Sequence, residues 1–222
     1  MKNVLLLTLL LFTFSAPAFC APENGGSEKY RATMKEYIHL VDTAVTEVSF
    51  IRAANTFNRI AQAEQKEWLP AYYAAYSYLN AAMATEEIDQ IDVYCDQAEV
   101  FLATALEIPG ADESEILCLA SLSYTARIRV EMFARGMSYS AEADKLLIEA
   151  NTIKNTNPRV AYLQARLVMG RPKQFGGGVK MGLPLLRVAG KKFAAAPHEA
   201  ESLLPDWGRK RTLEILAATA GK

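Results

Sequence analysis

The fold is decided by residues 68–78, which read WLPAYYAAYSY. Large apolar and aromatic side chains recur in this stretch at the spacing of one face of an amphipathic α-helix. Ala75 puts a small residue on that face, at a point where another helix must come close. Related stretches follow it at a fixed spacing. The sequence therefore predicts a protein built from repeated helical hairpins.

Small residues recur with a shift of 45 positions along the chain. Two columns of alanine show this shift: Ala75, Ala120 and Ala165, and then Ala53, Ala98 and Ala143. Phe57, Leu102 and Leu147 follow the second column four positions later, which places a small and a bulky residue on one helical face. Several columns at one shift predict a repeat. The alternative is an ordinary helical bundle with an accidental period.

Periodic apolar positions predict about nine helices in the chain. They are expected at about 28–48, 50–61, 68–85, 91–106, 113–134, 143–156, 159–169, 179–193 and 207–220, with Gly136 as the break after the fifth. No segment shows the sustained alternation of a half-buried strand. The predicted fold is all-α, with antiparallel hairpins stacked as a short solenoid and a C-terminal capping helix at about 205–222.

The alanine columns resemble the tetratricopeptide repeat. In that family the first helix carries a large residue, a small one four positions on and an aromatic three beyond, and the second helix carries Ala, an aromatic or Leu, and Ala. The matching positions here are Ala71, Ala75 and Tyr78 in a first helix and Ala98, Leu102 and Ala105 in a second. The resemblance covers about residues 28–195. The C-terminal run, including Phe175-Gly176-Gly177-Gly178, is similar to secreted tetratricopeptide-repeat proteins of bacteria.

The period departs from that family, which repeats every 34 residues or about three helical turns less than this chain. Longer helices can absorb three whole turns without changing which faces meet. A period of 45 residues also falls in the range of HEAT-type repeats, which remain the second choice for the subfamily.

The family resemblance implies which residues bind a partner, because its first helices line an inner groove. Those residues are Tyr72, Tyr76, Leu79, Asn80, Leu117, Ser121, Tyr124, Tyr162 and Arg166. Rings supply contact area and polar groups supply direction, as a peptide-binding groove requires. The leading hypothesis is a non-enzymatic adaptor that binds a protein or peptide partner. The alternative for these side chains is that half of them pack against the neighbouring repeat.

A second hypothesis is a small-ligand carrier that works beside a transport system. It predicts an enclosed apolar pocket with a few converging polar groups instead of an open groove. An enzyme is not expected, because His39 and His198 lie far apart and no nucleophile pattern accompanies them. No cofactor or metal ion is expected, since the cysteines lack metal-ligand spacing. Cys95 and Cys118 are interpreted as buried thiols, with a disulfide as the alternative.

The N-terminus has the pattern of a secretory signal. Lys2 precedes an apolar run over residues 4–14 and a small-residue region over 15–21. We expect residues 1–20 to be cleaved, residues 21–27 to form a flexible tether and residues 28–222 to form one domain in the periplasm or outside the cell. Membrane anchoring is not expected, since the residues before Cys20 do not follow a lipobox. Nucleic acid is not expected as a partner of an exported protein.

Two charged features remain to be explained. Residues 86–115 carry ten acidic side chains and no Lys or Arg, whereas the chain from Pro158 onward carries twelve basic and four acidic residues. Such asymmetry can steer a charged partner, or it can hold the array together. Arg209, Lys210 and Arg211 stand at the start of the last helix, where the helix dipole disfavours cations.

A glycine-rich loop precedes the eighth helix. Gly176, Gly177 and Gly178 come just before Lys180, and free backbone N–H groups beside a cation can hold an anion. The spacing is not that of a phosphate-binding P-loop, because Met181 follows the lysine. A structural turn is the favoured interpretation and weak anion binding is the alternative.

Overall fold

Helices account for most of the computed structural model, which describes residues 28–219 except 198 and 200. Their bounds are α1 (Glu28–Thr43), α2 (Glu47–Ala63), α3 (Trp68–Ala84), α4 (Ile88–Leu106), α5 (Glu113–Arg127), α6 (Met132–Ile153), α7 (Pro158–Gly170), α8 (Val179–Ala195) and α9 (Arg209–Thr219). This described part contains nine α-helices and no strand. The predicted all-α fold is confirmed.

Consecutive hairpins stack side by side with their first helices parallel. Several hydrogen bonds between neighbouring hairpins join residues that are 43 to 47 positions apart in the sequence, close to the predicted shift of 45. Tyr94 donates to Glu47, Arg135 to Asp92 and Arg159 to Glu115 in this way. All the column alanines are fully buried except Ala120, which is half-buried. Small residues therefore stand where helices of adjacent hairpins touch.

The turn between α5 and α6 lies earlier than the sequence predicts. The fifth helix ends at Arg127, and α6 runs straight through Gly136. Arg129 fixes the turn, because its guanidinium donates to three backbone carbonyls at the end of α3 and just beyond it, at 2.7–3.0 Å. Gly136 lies on an open part of the helix surface, where glycine costs only about 1 kcal/mol relative to alanine.

Part of the unevenly distributed charge forms ion pairs between neighbouring hairpins. Arg127 donates to Asp92 at 3.1 Å, to Asp96 at 2.6 Å and to Glu99 at 3.0 Å, and all three acids belong to the acidic stretch. Arg135 also pairs with Asp92. Acids of one hairpin are therefore matched with cations of the next.

After α8 the chain turns back across the concave side of the array. Residues 201–208, called here the C-terminal strap, reach as far as α1. Arg31 donates to the Glu201 carbonyl at 3.0 Å, and Tyr73 of α3 donates to the Leu203 carbonyl at 2.9 Å. The last helix begins at Arg209 and not at residue 207 as the sequence predicts, because Gly208 turns the chain with a φ of +88°.

Three further predictions concern the cysteines, the N-terminal segment and membrane-spanning helices. Cys95 and Cys118 are buried free thiols. The proposed signal, the tether and Cys20 lie outside the described residues. Within the described ranges, no helix combines the length and the apolar character needed to cross a membrane.

Candidate ligand-binding pocket

The concave side is lined by the first helices of the hairpins. It has two halves, one formed by the N-terminal halves of these helices and one by their C-terminal halves. The C-terminal strap covers the N-terminal halves of α3 and α7. The C-terminal halves of α3, α5 and α7 stay uncovered and form one wall of a pocket of about 950 Å³. The end of α1, the start of α2 and the first turns of α9 complete the pocket.

The covered half contains a buried ion pair. Arg159 of α7 donates to both carboxylate oxygens of Glu115 of α5, at 2.6 Å each, and both side chains are less than a tenth exposed. Tyr72 donates to the same carboxylate at 3.0 Å, and Trp207 of the strap donates to the Tyr72 hydroxyl at 2.7 Å. The two charged groups, the phenol and the indole therefore satisfy one another's hydrogen-bonding groups beneath the strap.

Electrostatics keep Arg159 charged and Tyr72 neutral in this cluster. Burial acts to lower the pKa of Arg159, but the adjacent Glu115 carboxylate and its hydrogen bonds outweigh burial and raise that pKa. Burial, followed by the same carboxylate, raises the pKa of Tyr72 well above its ordinary value. The phenol therefore stays a hydrogen-bond donor at physiological pH.

Trp207 marks the boundary between the covered and the open half. Its ring stacks on Tyr76 with centroids 5.0 Å apart and an interplanar angle of 20°, and it meets Tyr162 edge-on at 6.3 Å. Gly208 is required next to it for two reasons. Its φ is positive, and a Cβ there would lie 3.1 Å from the Tyr162 ring and 3.3 Å from the Phe193 ring.

Apolar and aromatic side chains make up much of the open pocket wall. These are Val41, Ala44, Phe50, Tyr76, Met83, Leu122, Tyr162, Leu163, Leu167, Trp207 and Leu213. Tyr76 and Trp207 together present a nearly flat aromatic surface. This composition is typical of pockets that hold small organic ligands.

The polar part of the lining is rich in charge. It consists of Asp42, Asn80, Thr125, Arg166, Asp206, Arg209, Lys210, Arg211 and Glu214. Arg166 donates to the Tyr162 hydroxyl at 3.1 Å, Arg209 pairs with Asp206 at 2.7 Å and Arg211 with Glu214 at 3.1 Å. The cations at the unfavourable end of α9 are thus pocket-lining residues, and two of them are compensated by nearby acids.

Asp42 lines the pocket at the end of α1. Its side chain is exposed to solvent. Desolvation by the neighbouring wall, followed by repulsion from Asp206, raises the pKa of Asp42, and His39 opposes this shift. Ionisation of Asp42 adds a negative charge at this side of the pocket.

The structure separates the nine groove residues named from the sequence into two groups. Tyr76, Asn80, Tyr162 and Arg166 line the pocket. The others pack inside the array: Tyr72, Leu79 and Ser121 are buried, and Leu117 and Tyr124 are half-buried. The alternative in which about half of the set packs against neighbouring elements describes this arrangement well.

The glycine loop does not offer free backbone donors. The N–H of Gly176 donates to Lys173, that of Gly177 to Pro172 and that of Gly178 to Val168. These bonds close the loop on itself, and the Lys180 side chain is left exposed beside it. The geometry supports the interpretation as a structural turn, because the N–H groups of the three glycines are already used in these backbone bonds.

Sequence reasoning missed the strap and the α1–α2 corner. Trp207 and Leu203 reach across the array to side chains about 130 positions earlier, and helical periodicity reports only local neighbours. A signal was present in Pro205-Asp206-Trp207-Gly208, where a large aromatic residue precedes a glycine outside any apolar repeat.

Comparison with solved structures finds a similar haemophore. The HusA haemophore from Porphyromonas gingivalis is similar to this chain, with 31% sequence identity and a TM-score of 0.77. The match covers 89% of this chain and 96% of the haemophore. This chain belongs to the HusA family. No protein-family model and no curated protein matches, so the resemblance to tetratricopeptide repeats is not confirmed beyond the stacked-hairpin architecture.

Membership of the HusA family corrects the leading functional hypothesis. The expectation of an adaptor with a protein or peptide partner is wrong, since the relative is a haemophore. The physical reason lies in the strap, because Leu203 and Trp207 occupy the part of the groove that a peptide would have to enter. The alternative hypothesis of a small-ligand carrier agrees better with both observations.

Proposed function

We propose that this HusA-family chain is an exported, non-enzymatic carrier that binds haem or a related porphyrin in the pocket. The observation that carries the proposal is the pocket of about 950 Å³ with an aromatic wall, in a chain whose relative is a haemophore. The signal pattern of residues 1–20 supports export. A carrier requires a shaped cavity and no reacting groups.

The pocket suits the shape of a porphyrin, which is a flat, largely apolar ring with carboxylates at one edge. Its volume lies in the range of small-molecule sites, roughly 300–1,000 Å³. Tyr76 and Trp207 offer a flat surface on which such a ring can stack, and Leu163 and Leu167 of α7 add aliphatic contacts. Aromatic contacts of this kind contribute about 0.5–1.5 kcal/mol each beyond area burial.

The cations of the pocket suit the carboxylates of the ligand. Arg166, Lys210 and Arg211 line the pocket from α7 and from the start of α9. A guanidinium can bind a carboxylate through two parallel hydrogen bonds, and a lysine can bind it as a point charge. We expect the apolar ring to lie toward Trp207 and the carboxylates toward these three side chains.

Contacts with the ring are expected to supply most of the affinity. Among the described residues that line the pocket, none is a His or Cys, two common side-chain ligands of haem iron. Burial, followed by repulsion from Asp42, raises the pKa of Tyr76 far above its ordinary value, so its phenolate is disfavoured as a ligand. Comparing haem with metal-free protoporphyrin measures how much the iron contributes.

A bulky side chain placed inside the pocket tests the proposal. Thr125 of α5 lines the pocket, and its hydroxyl donates to the backbone carbonyl four residues earlier. Thr125→Trp fills space that the ligand needs, so we expect it to weaken porphyrin binding by at least about tenfold, or roughly 1.4 kcal/mol. Absorbance titration with haem and with protoporphyrin measures the effect.

Thr104→Trp is the matched control. Thr104 is exposed on α4 and makes the same hydrogen bond to the carbonyl four residues earlier, but it does not line the pocket. This variant should bind porphyrin as the unmodified protein does. Equal binding by the two variants, or the lack of saturable binding by the unmodified protein, would overturn the proposal.

A further inference from the structure

Exposed large apolar side chains gather on one edge of the array. In a stack of antiparallel hairpins, the turns within the hairpins all lie on one edge and the connections between hairpins lie on the other. In the last two complete hairpins, the first of these edges exposes Met132, Phe133, Met137, Phe175, Val179 and Met181. Among the described residues of these hairpins and their connections, the opposite edge exposes fewer side chains of this class, namely Leu106, Ile153 and Leu204.

These side chains do little for the packing of the array. Phe133 is fully exposed, and Phe175 is 58% exposed. The first three turns of α6, from residue 132 to residue 142, contain no buried residue. Exposed apolar side chains that gather on one edge in this way are typical of an interaction site.

The charge of the α7–α8 connection indicates the partner, whereas Glu131 precedes the apolar side chains at the start of α6. Residues 170–182 contain Arg171, Lys173 and Lys180 and no acidic residue. The same segment carries the exposed side chains of Phe175 and Val179. Apolar side chains flanked by cations are typical of proteins that lie on anionic membranes, where each Lys or Arg near the surface contributes about 1 kcal/mol.

We propose that residues 170–182 and the first turns of α6 dock this protein on an anionic lipid surface. The apolar side chains enter the headgroup region and the lysines face lipid phosphates. This association is peripheral and reversible, and it differs from a covalent lipid anchor at Cys20, which the sequence does not favour.

Docking at this edge also places the pocket close to the lipid. The pocket is formed by the C-terminal halves of α3, α5 and α7, which point to the same edge. Gly170, where the α7–α8 connection starts, and Ala44, in the α1–α2 turn, both line it. An apolar ligand can therefore pass between bilayer and pocket with a short path through water.

Sedimentation with lipid vesicles tests the docking proposal, using the chain without any porphyrin. We expect the protein to bind mixed phosphatidylglycerol and phosphatidylcholine vesicles, to bind phosphatidylcholine alone much more weakly, and to be released by salt. Phe133→Asp with Phe175→Asp removes the apolar contact, so binding should fall by about tenfold or more. Lys173→Glu with Lys180→Glu should abolish the preference for anionic vesicles.

Val100→Asp is the matched control, because Val100 is 61% exposed on α4, away from this edge. It should bind vesicles as the unmodified protein does, and circular dichroism should show that all variants are folded. Absence of vesicle binding, or equal loss in the control, would overturn the proposal. A dimer that dissociates when Phe133 and Phe175 become Asp would assign the edge to a second copy of the chain. Porphyrin binding should not change in the edge variants, so this test and the pocket test fail independently.

Discussion

Glu115 and Arg159 form the contact on which the concave side depends most at the scale of single residues. Both lie in the core, and each satisfies the other with two hydrogen bonds of 2.6 Å. Removing one partner leaves the other charge buried without compensation, which typically costs about 3–5 kcal/mol. Replacing both with apolar residues leaves no uncompensated charge in the core, although it also removes the attraction between the two side chains.

We therefore expect Arg159→Met to lower the free energy of unfolding by about 3–5 kcal/mol in urea denaturation. Glu115→Leu combined with Arg159→Met should be less destabilising than the sum of the two single changes. Lys154→Met is the control, since it breaks the half-exposed pair with Asp112 at the ends of the α5–α6 hairpin and should cost at most about 1 kcal/mol. A loss for Arg159→Met no greater than that of the control would contradict this account.

The C-terminal strap is the element that turns a groove into a pocket. Its path depends on Gly208, which has a positive φ and lies against the rings of Tyr162 and Phe193. Alanine there meets both backbone strain and a close contact, so Gly208→Ala should destabilise the protein by about 1–3 kcal/mol. The change should also weaken porphyrin binding, because Trp207 is displaced from the pocket wall.

Gly136→Ala is the control, and thermal denaturation should show the opposite effect on stability for this variant. Gly136 lies inside α6 with open space where a Cβ would be placed. Alanine should therefore raise stability by about 0.5–1 kcal/mol, through its better helix propensity, and leave ligand binding unchanged. If Gly208→Ala behaved like Gly136→Ala, the strap would not have the structural role assigned to it.

The helical elements were predictable from sequence because their causes are local. The 45-residue shift of the alanine columns reappears in hydrogen bonds between residues 43 to 47 positions apart in neighbouring hairpins. The end of α5 was predicted too late, because Arg129 fixes it through carbonyls that belong to α3. The strap was not predicted, since Trp207 binds Tyr72 across 135 positions and no periodic pattern records such a contact.

The candidate site was predictable in part for the same reason. The helical register correctly assigned Tyr76, Asn80, Tyr162 and Arg166 to the concave side, where they now line the pocket. It also assigned Tyr72 to the concave side, but the strap covers that position. Register gives the face of a helix, whereas the part of that face that stays open depends on long-range packing.

At the scale of the whole molecule, three features are combined on one side. Stacked hairpins form a concave surface, the strap closes half of it, and α9 supplies cations to the rest. The similarity to the HusA haemophore extends over 96% of that protein, so nearly the whole length of the relative takes part in the match. The central claim is that the half left open by the strap binds a porphyrin.

A crystal structure of this chain with bound haem or protoporphyrin would test that claim most directly. We predict that the ring lies in the pocket against Tyr76 and Trp207, with its carboxylates near Arg166 and Lys210 and with the strap in place. A ring bound on the outer face of the array, or one that has displaced Trp207 from Tyr72, would contradict the account.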